Sequence, residues 1–200
     1  MKNLIIKTCL FTLGGVVLLL ALLFGVFVIF FPSVLANTAD KLGNYDVAIH
    51  YYEKQYDKTQ SLDDLFVLCK KLDVEKSPED SKSYLSVMIN SDGFVDFCLA
   101  QDKGGEDMAC GEYLTSKYVC AIYECGQKGL SIIVAKDMVE EYGYTSYNPF
   151  YTLTVRYGES MTDDELNELK TAINEVKVGL TGSQLETAEN DLLYIEELLK

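Results

Sequence analysis

A chain of 200 residues with a net charge of -14 and a single arginine, Arg156, is not built to neutralise phosphates, which takes clustered Lys and Arg, so nucleic acid is excluded as a partner. Lys2 and Lys7 are the only charges in the first 36 residues, so residues 37–200 carry -16, a surface that stays solvated or meets a basic partner. The length allows one domain with its own core and leaves little room for a second.

The stretch Leu10 to Phe31 contains no charge, and only Thr12, Gly14, Gly15 and Gly25 interrupt its apolar residues. At 1.5 Å per residue it extends about 33 Å, enough to cross a hydrocarbon core of about 30 Å. A cleaved signal peptide also starts basic, and Val34, Leu35 and Ala36 resemble a cleavage site. Its apolar region, however, runs only about 7 to 15 residues, so the length favours a retained anchor. Lys2 and Lys7 precede the run while Asp40, Asp46 and Glu53 follow it. The positive-inside rule then places the N-terminus in the cytoplasm and the remainder outside. The expected layout is a cytoplasmic tail and transmembrane anchor over residues 1–36, single-pass in the cell membrane, and an acidic helical domain over 37–200.

Pro32 ends the apolar run and opens a short helix, Ser33 to Leu42, because its missing N–H is an orphan in a first turn anyway. Gly43 stops that helix. Asn44 to Tyr56 then places Ala48, Ile49, Tyr52 and Tyr56 on one helical face. Over these residues the chain resembles a tetratricopeptide repeat: Gly43, Tyr45, Ala48, Ile49, Tyr51, Tyr52 and Lys54 stand where that family has its turn glycine, aromatic, small alanine and second-helix pattern. The resemblance implies stacked helical hairpins, an α-solenoid, whose concave surface binds proteins.

Further helices follow. Leu62, Leu65, Phe66, Cys69 and Leu72 form one stripe; Ser77-Pro78-Glu79 opens a helix carrying Tyr84, Leu85, Met88 and Ile89. Phe94 to Leu99 reads as a short helix and Asp102 to Asp107 as a loop. Cys110, Leu114, Tyr118, Ala121, Ile122 and Cys125 share a face up to Gly126, and Leu130, Ile133, Val134, Met138 and Tyr142 share another up to Gly143. Phe150 to Tyr157 alternates like a strand but has no partner strand in a helical chain, so it is read as helix. A C-terminal hairpin over about 162–199 has capping boxes at Thr162/Glu165 and Ser183/Glu186, with apolar seams Leu166, Leu169, Ile173, Val176 and Leu185, Ala188, Leu192, Ile195, Leu199. These seams suit an antiparallel pair, or a coiled-coil partner helix.

Chemistry-bearing residues are few. The one histidine, His50, is expected to face water, and no metal-binding, phosphate-binding or EF-hand pattern occurs. Cys9 borders the anchor, which leaves Cys69, Cys98, Cys110, Cys120 and Cys125. In an oxidising compartment one or two disulfides are expected; reduced, these are core thiols. No CxxC occurs, so zinc is not expected. Tyr144, Tyr147 and Tyr151 concentrate around a connector, where tyrosines either anchor a partner or pack the loop.

The expected fold is therefore all-α: a single N-terminal transmembrane helix followed by a helical-hairpin repeat domain. The expected function is protein interaction at a membrane, with a membrane-associated protein partner and without catalytic residues, metal or cofactor. The alternative is an envelope enzyme or small-ligand-binding domain with its site in the Cys- and Tyr-rich middle; a structural subunit dimerising through the C-terminal seam is a third reading.

Overall fold

The computed structural model describes residues 2–102 and 109–200, with side chains from Thr12 onward. The loop expected at Asp102 to Asp107 lies, beyond Asp102, outside the described residues. Among those described there are eleven α-helices and no strand. In order they are α1 (Lys2–Phe30), α2 (Pro32–Lys41), α3 (Tyr45–Thr59), α4 (Leu62–Lys71), α5 (Pro78–Ile89), α6 (Phe94–Gln101), α7 (Cys110–Glu124), α8 (Lys128–Tyr142), α9 (Pro149–Tyr157), α10 (Asp163–Lys177) and α11 (Gly182–Leu198), with a 3₁₀ turn at Gly158–Ser160 after α9. The ambiguous Phe150 to Tyr157 is thus helical: Phe150, Leu153, Thr154 and Tyr157 are buried while Val155 is exposed.

The chain divides into two compact units, Met1–Leu68 and Cys69–Lys200, so the α2–α3 hairpin and residues 62–68 of α4 group with α1. In the first unit, α1 is long and apolar enough to cross a membrane over Thr12–Phe30, and its large apolar side chains stand exposed. A single residue, Phe31, separates it from α2, which Pro32 opens. Gly43, at φ +72°, lets the chain reverse after α2; an L-residue with a side chain would be strained there. Asn44 caps α3 by accepting from the Val47 N–H. The hairpin buries Ala36 and Ala39 against Ala48, Ile49 and Tyr52, and Tyr52 donates its hydroxyl to Asn37 at 3.0 Å. At the far end of α3, the Lys58 ammonium donates to the Phe30 carbonyl at 3.2 Å and lies 5.9 Å from the Phe30 ring centroid. A cation thus meets the C-terminal end of α1, where the helix dipole is negative.

In the second unit, helices two apart in sequence are neighbours: α5 packs on α7, α7 on α9, α9 on α11, and α8 on α10, while α7–α8, α8–α9 and α10–α11 pack as consecutive pairs. Helix α7 is central. It touches α5, α6, α8 and α9, so its burial extends past the expected stripe to Thr115, Ser116, Val119, Cys120 and Tyr123. Tyr123 stacks on Tyr157 of α9, with ring centroids 4.3 Å apart.

Helix α8 corrects the sequence reading. The buried residues are Ser131, Ile132, Ala135 and Val139, while Leu130, Ile133 and Tyr142 of the expected stripe are exposed. Packing on α7, α9 and α10 selects the face of Ser131, Ile132, Ala135 and Val139, where Ser131 and Ala135 allow close approach of the neighbours. The Ser131 hydroxyl is satisfied locally by the Lys128 carbonyl at 2.6 Å.

Helices α10 and α11 pack together, with Leu166, Leu169, Ile173 and Val176 of α10 and Ala188, Leu192 and Ile195 of α11 buried, while Leu185 and Leu199 of the expected seam are half-buried. Lys170–Glu196 at 2.7 Å and Lys177–Glu189 at 3.1 Å border it, adding register more than stability. Thr162 and Glu165 make the capping box. The second expected box does not form: α11 begins at Gly182 with Thr181 at its N-cap, which puts Ser183 inside the helix.

Candidate functional site

Helix α6 has eight residues and α8 has fifteen, about 12 Å against about 22 Å of axis. Phe94 of α6 packs edge-on against Tyr142 at the C-terminal end of α8, with centroids 6.0 Å apart. Nearer its N-terminus, α8 instead borders a groove of about 720 Å³ shared with α5 and α7. Leu130 and Val134 of α8, Val87 of α5, and Tyr118 and Ile122 of α7 give it an apolar lining. Val87 and Leu130 are 47% and 46% exposed. The polar lining is Glu79, Lys82, Ser83, Ser86 and Gln127; Lys82 pairs with Glu79 at 2.8 Å and reaches Gln127 at 3.5 Å. Leu130 and Val134, of the stripe read from the sequence of α8, are therefore groove wall rather than core.

The structure distributes the other singled-out residues. In the first unit, Gly43 forms the turn, Tyr45 opens α3, and Ala48, Ile49 and Tyr52 are buried. His50 is exposed on α3, its ring 5.4 Å from that of Tyr51. Cys69, Cys98, Cys110 and Cys120 are buried thiols, and Cys125 is half-buried. Burial pushes the Cys69 thiol up to about 12 and the Cys120 thiol up to about 11. Neither is a ready nucleophile, since the thiolate is the reactive form.

Of the connector tyrosines, Tyr147 and Tyr151 meet edge-on at the surface. Tyr144 is buried and is not available to a partner. It donates its hydroxyl to Asp191 of α11 at 2.8 Å. Asn148 joins the same carboxylate through Nδ2 at 3.0 Å, while its Oδ1 caps α9 by accepting from the Tyr151 N–H. Burial raises the Asp191 carboxyl above its ordinary range, and these two donors partly offset the rise. This buried polar trio closes the connector onto α11 as a packing device.

Lys117 on α7 was not singled out by any motif. Its ammonium donates to the carbonyls of Cys69 and Lys70 at 2.6 and 3.1 Å and to the Tyr113 hydroxyl at 3.3 Å, satisfying the last turn of α4. Burial pushes its pKa down to about 8 from 10.5. Between those values the unfolded chain binds the extra proton, so stability rises with pH across that window. The chain is expected to gain stability from pH 8 to 10 relative to Lys117→Met, read from denaturant unfolding at each pH; parallel pH profiles for the two proteins would contradict it.

The class defined by these features is an all-helical protein with one apolar N-terminal helix able to cross a membrane. No protein-family model, curated protein or solved structure matches the chain.

Proposed function

We propose that this is a single-pass membrane protein, with its N-terminus in the cytoplasm, whose tetratricopeptide-like helical domain binds a membrane-associated protein and performs no catalysis. The carrying observation is the groove on α5, α7 and α8, an uncovered apolar strip edged by polar side chains. Support for a repeat architecture comes from the α2–α3 hairpin built on Gly43 and Ala48, and from the neighbour order α5–α7–α9–α11 beside α8–α10. The occupant we assign is a helical segment with basic residues flanking an apolar stripe. Helix-lined grooves take amphipathic helices, and the charge of -16 beyond the first 36 residues disfavours an acidic one. Tethering at a common membrane raises the effective concentration of such a partner.

The test is photo-crosslinking in intact membranes from a probe residue placed at Val87 or Leu130, with Val178, exposed outside the groove, as the control position. The expected result is one partner captured from both groove positions through a basic amphipathic segment, with a yield at least tenfold lower from the Val87 probe when Leu130→Asp is added. Equal capture from Val178, or an acidic crosslinked segment, would overturn the proposal.

A further inference from the structure

Five cysteines are described, and they do not share one environment. Cys69 lies beside Lys117, Cys120 beside Arg156 and Tyr157, and Cys125 beside Glu79 and Lys82. Cys98 and Cys110 differ: their side chains are hydrogen-bonded to each other. Both are buried, at 6% and 7% exposure, where α6 packs on the first turn of α7. The backbone supports the approach. Gly111, next to Cys110, brings its missing Cβ position within 4.0 Å of the Cys98 sulfur, and Asp102 at the end of α6 accepts the Cys110 N–H at 2.6 Å. That bond pins together the ends of the segment between the two helices, independently of the thiols.

We propose that Cys98 and Cys110 are a disulfide-forming pair, oxidised by thiol–disulfide exchange with a disulfide-bearing oxidant in the compartment outside the membrane. One cysteine thiolate attacks the oxidant's S–S bond, giving a mixed disulfide and releasing one oxidant thiol. The second cysteine thiolate then attacks the protein sulfur of the mixed disulfide. A Cys98–Cys110 bond forms, the second oxidant thiol leaves, two electrons pass to the oxidant, and the two cysteine protons end on its thiols or in solvent. In the folded chain the hydrogen bond and burial both disfavour a thiolate at Cys98, so exchange belongs to the stage at which α6 docks on α7. The other three cysteines remain free. The pairing goes beyond the binding proposal and stands on the geometry of α6 and α7; only the natural oxidant depends on the domain lying outside.

The experiment uses the full chain in detergent, refolded with a mixture of oxidised and reduced glutathione, then blocked with an alkylating reagent under denaturing conditions and digested with trypsin. Lys103 separates the two cysteines and Lys117 separates both from Cys120 and Cys125, so the bond appears as a pair of linked peptides. The expected result is the 83–103 peptide linked to the 104–117 peptide, with Cys69, Cys120 and Cys125 alkylated. Reduction is expected to lower the thermal midpoint by about 10 °C, as for a closed loop of this size. Full alkylation of both Cys98 and Cys110, or a bond from either to another cysteine, would overturn the pairing. A Cys98→Ala chain supplies the second measurement: Cys110 must then be alkylated, and its capture by Cys120 or Cys125 would show that pairing follows availability rather than geometry.

Discussion

Replacing Asp191 by alanine lowers the stability of the 69–200 unit by about 3 kcal/mol, because the Tyr144 hydroxyl and one N–H of the Asn148 amide, whose other bond to the Thr145 carbonyl at 2.8 Å remains, lose their buried acceptor, each at about 1 to 3 kcal/mol. The thermal midpoint falls by about 10 °C. The pH dependence separates this carboxylate from an ordinary surface one. Its folded pKa is raised by burial, so between the unfolded value and the folded one the native chain holds a proton that the unfolded chain has released. By linkage, the contribution of Asp191 to stability is largest below that window and declines as pH rises through it, opposite to a salt-bridged aspartate. Asp191→Asn keeps the shape and is expected to remove this slope at a smaller cost in stability. Thermal unfolding from pH 3 to 7 on the three proteins checks both; a slope of the opposite sign, or an alanine variant within 0.5 kcal/mol of the parent, roughly the limit for an uninvolved surface site, would refute the assignment.

Two adjacent isoleucines test which face of α8 meets the core. Ile132 is 2% exposed and Ile133 is 55% exposed. Ile132→Ala is expected to cost about 3 kcal/mol, from lost burial and the cavity left behind, whereas Ile133→Ala should cost well under 1 kcal/mol, as exposed sites do. Urea midpoints measure the difference directly. Equal effects would contradict this difference in burial, and the reverse order would mean that the face inferred from the spacing of Leu130, Ile133, Val134, Met138 and Tyr142 is the buried one.

That pair also shows where the sequence stops being informative. Helix boundaries were legible because they are local: Pro32, Pro78 and Pro149 each stand in a first turn, and Gly43 and Gly126 follow helix ends at positive φ. The seam of α10 and α11 was legible because one face of each helix is polar. Helix α8 has apolar residues on both faces, so periodicity could not choose between them, and only contact with α7, α9 and α10 decides. The trio of Tyr144, Asn148 and Asp191 has no sequence signal at all. Its members are 47 and 43 residues apart across the hydrogen bonds, and each alone reads as a loop or surface residue. The groove was half visible: Leu130 and Val134 were found as a stripe, but the walls that α5 and α7 add follow only from the packing of helices distant in sequence.

The contact between Lys58 and the Phe30 carbonyl bears on how the chain sits at a bilayer. An ammonium cannot be drawn into hydrocarbon at tolerable cost, so with α1 in a membrane the level of Phe30 is fixed at the headgroups. Pro32 and the α2–α3 hairpin leave no slack on that side. A change in bilayer thickness must then be taken up by tilt of α1 or at its other end, where the residues before Leu10 include polar ones able to enter or leave the interface. In a bilayer the Phe30 end of the helix would act as a depth stop, and the opposite end would absorb the mismatch.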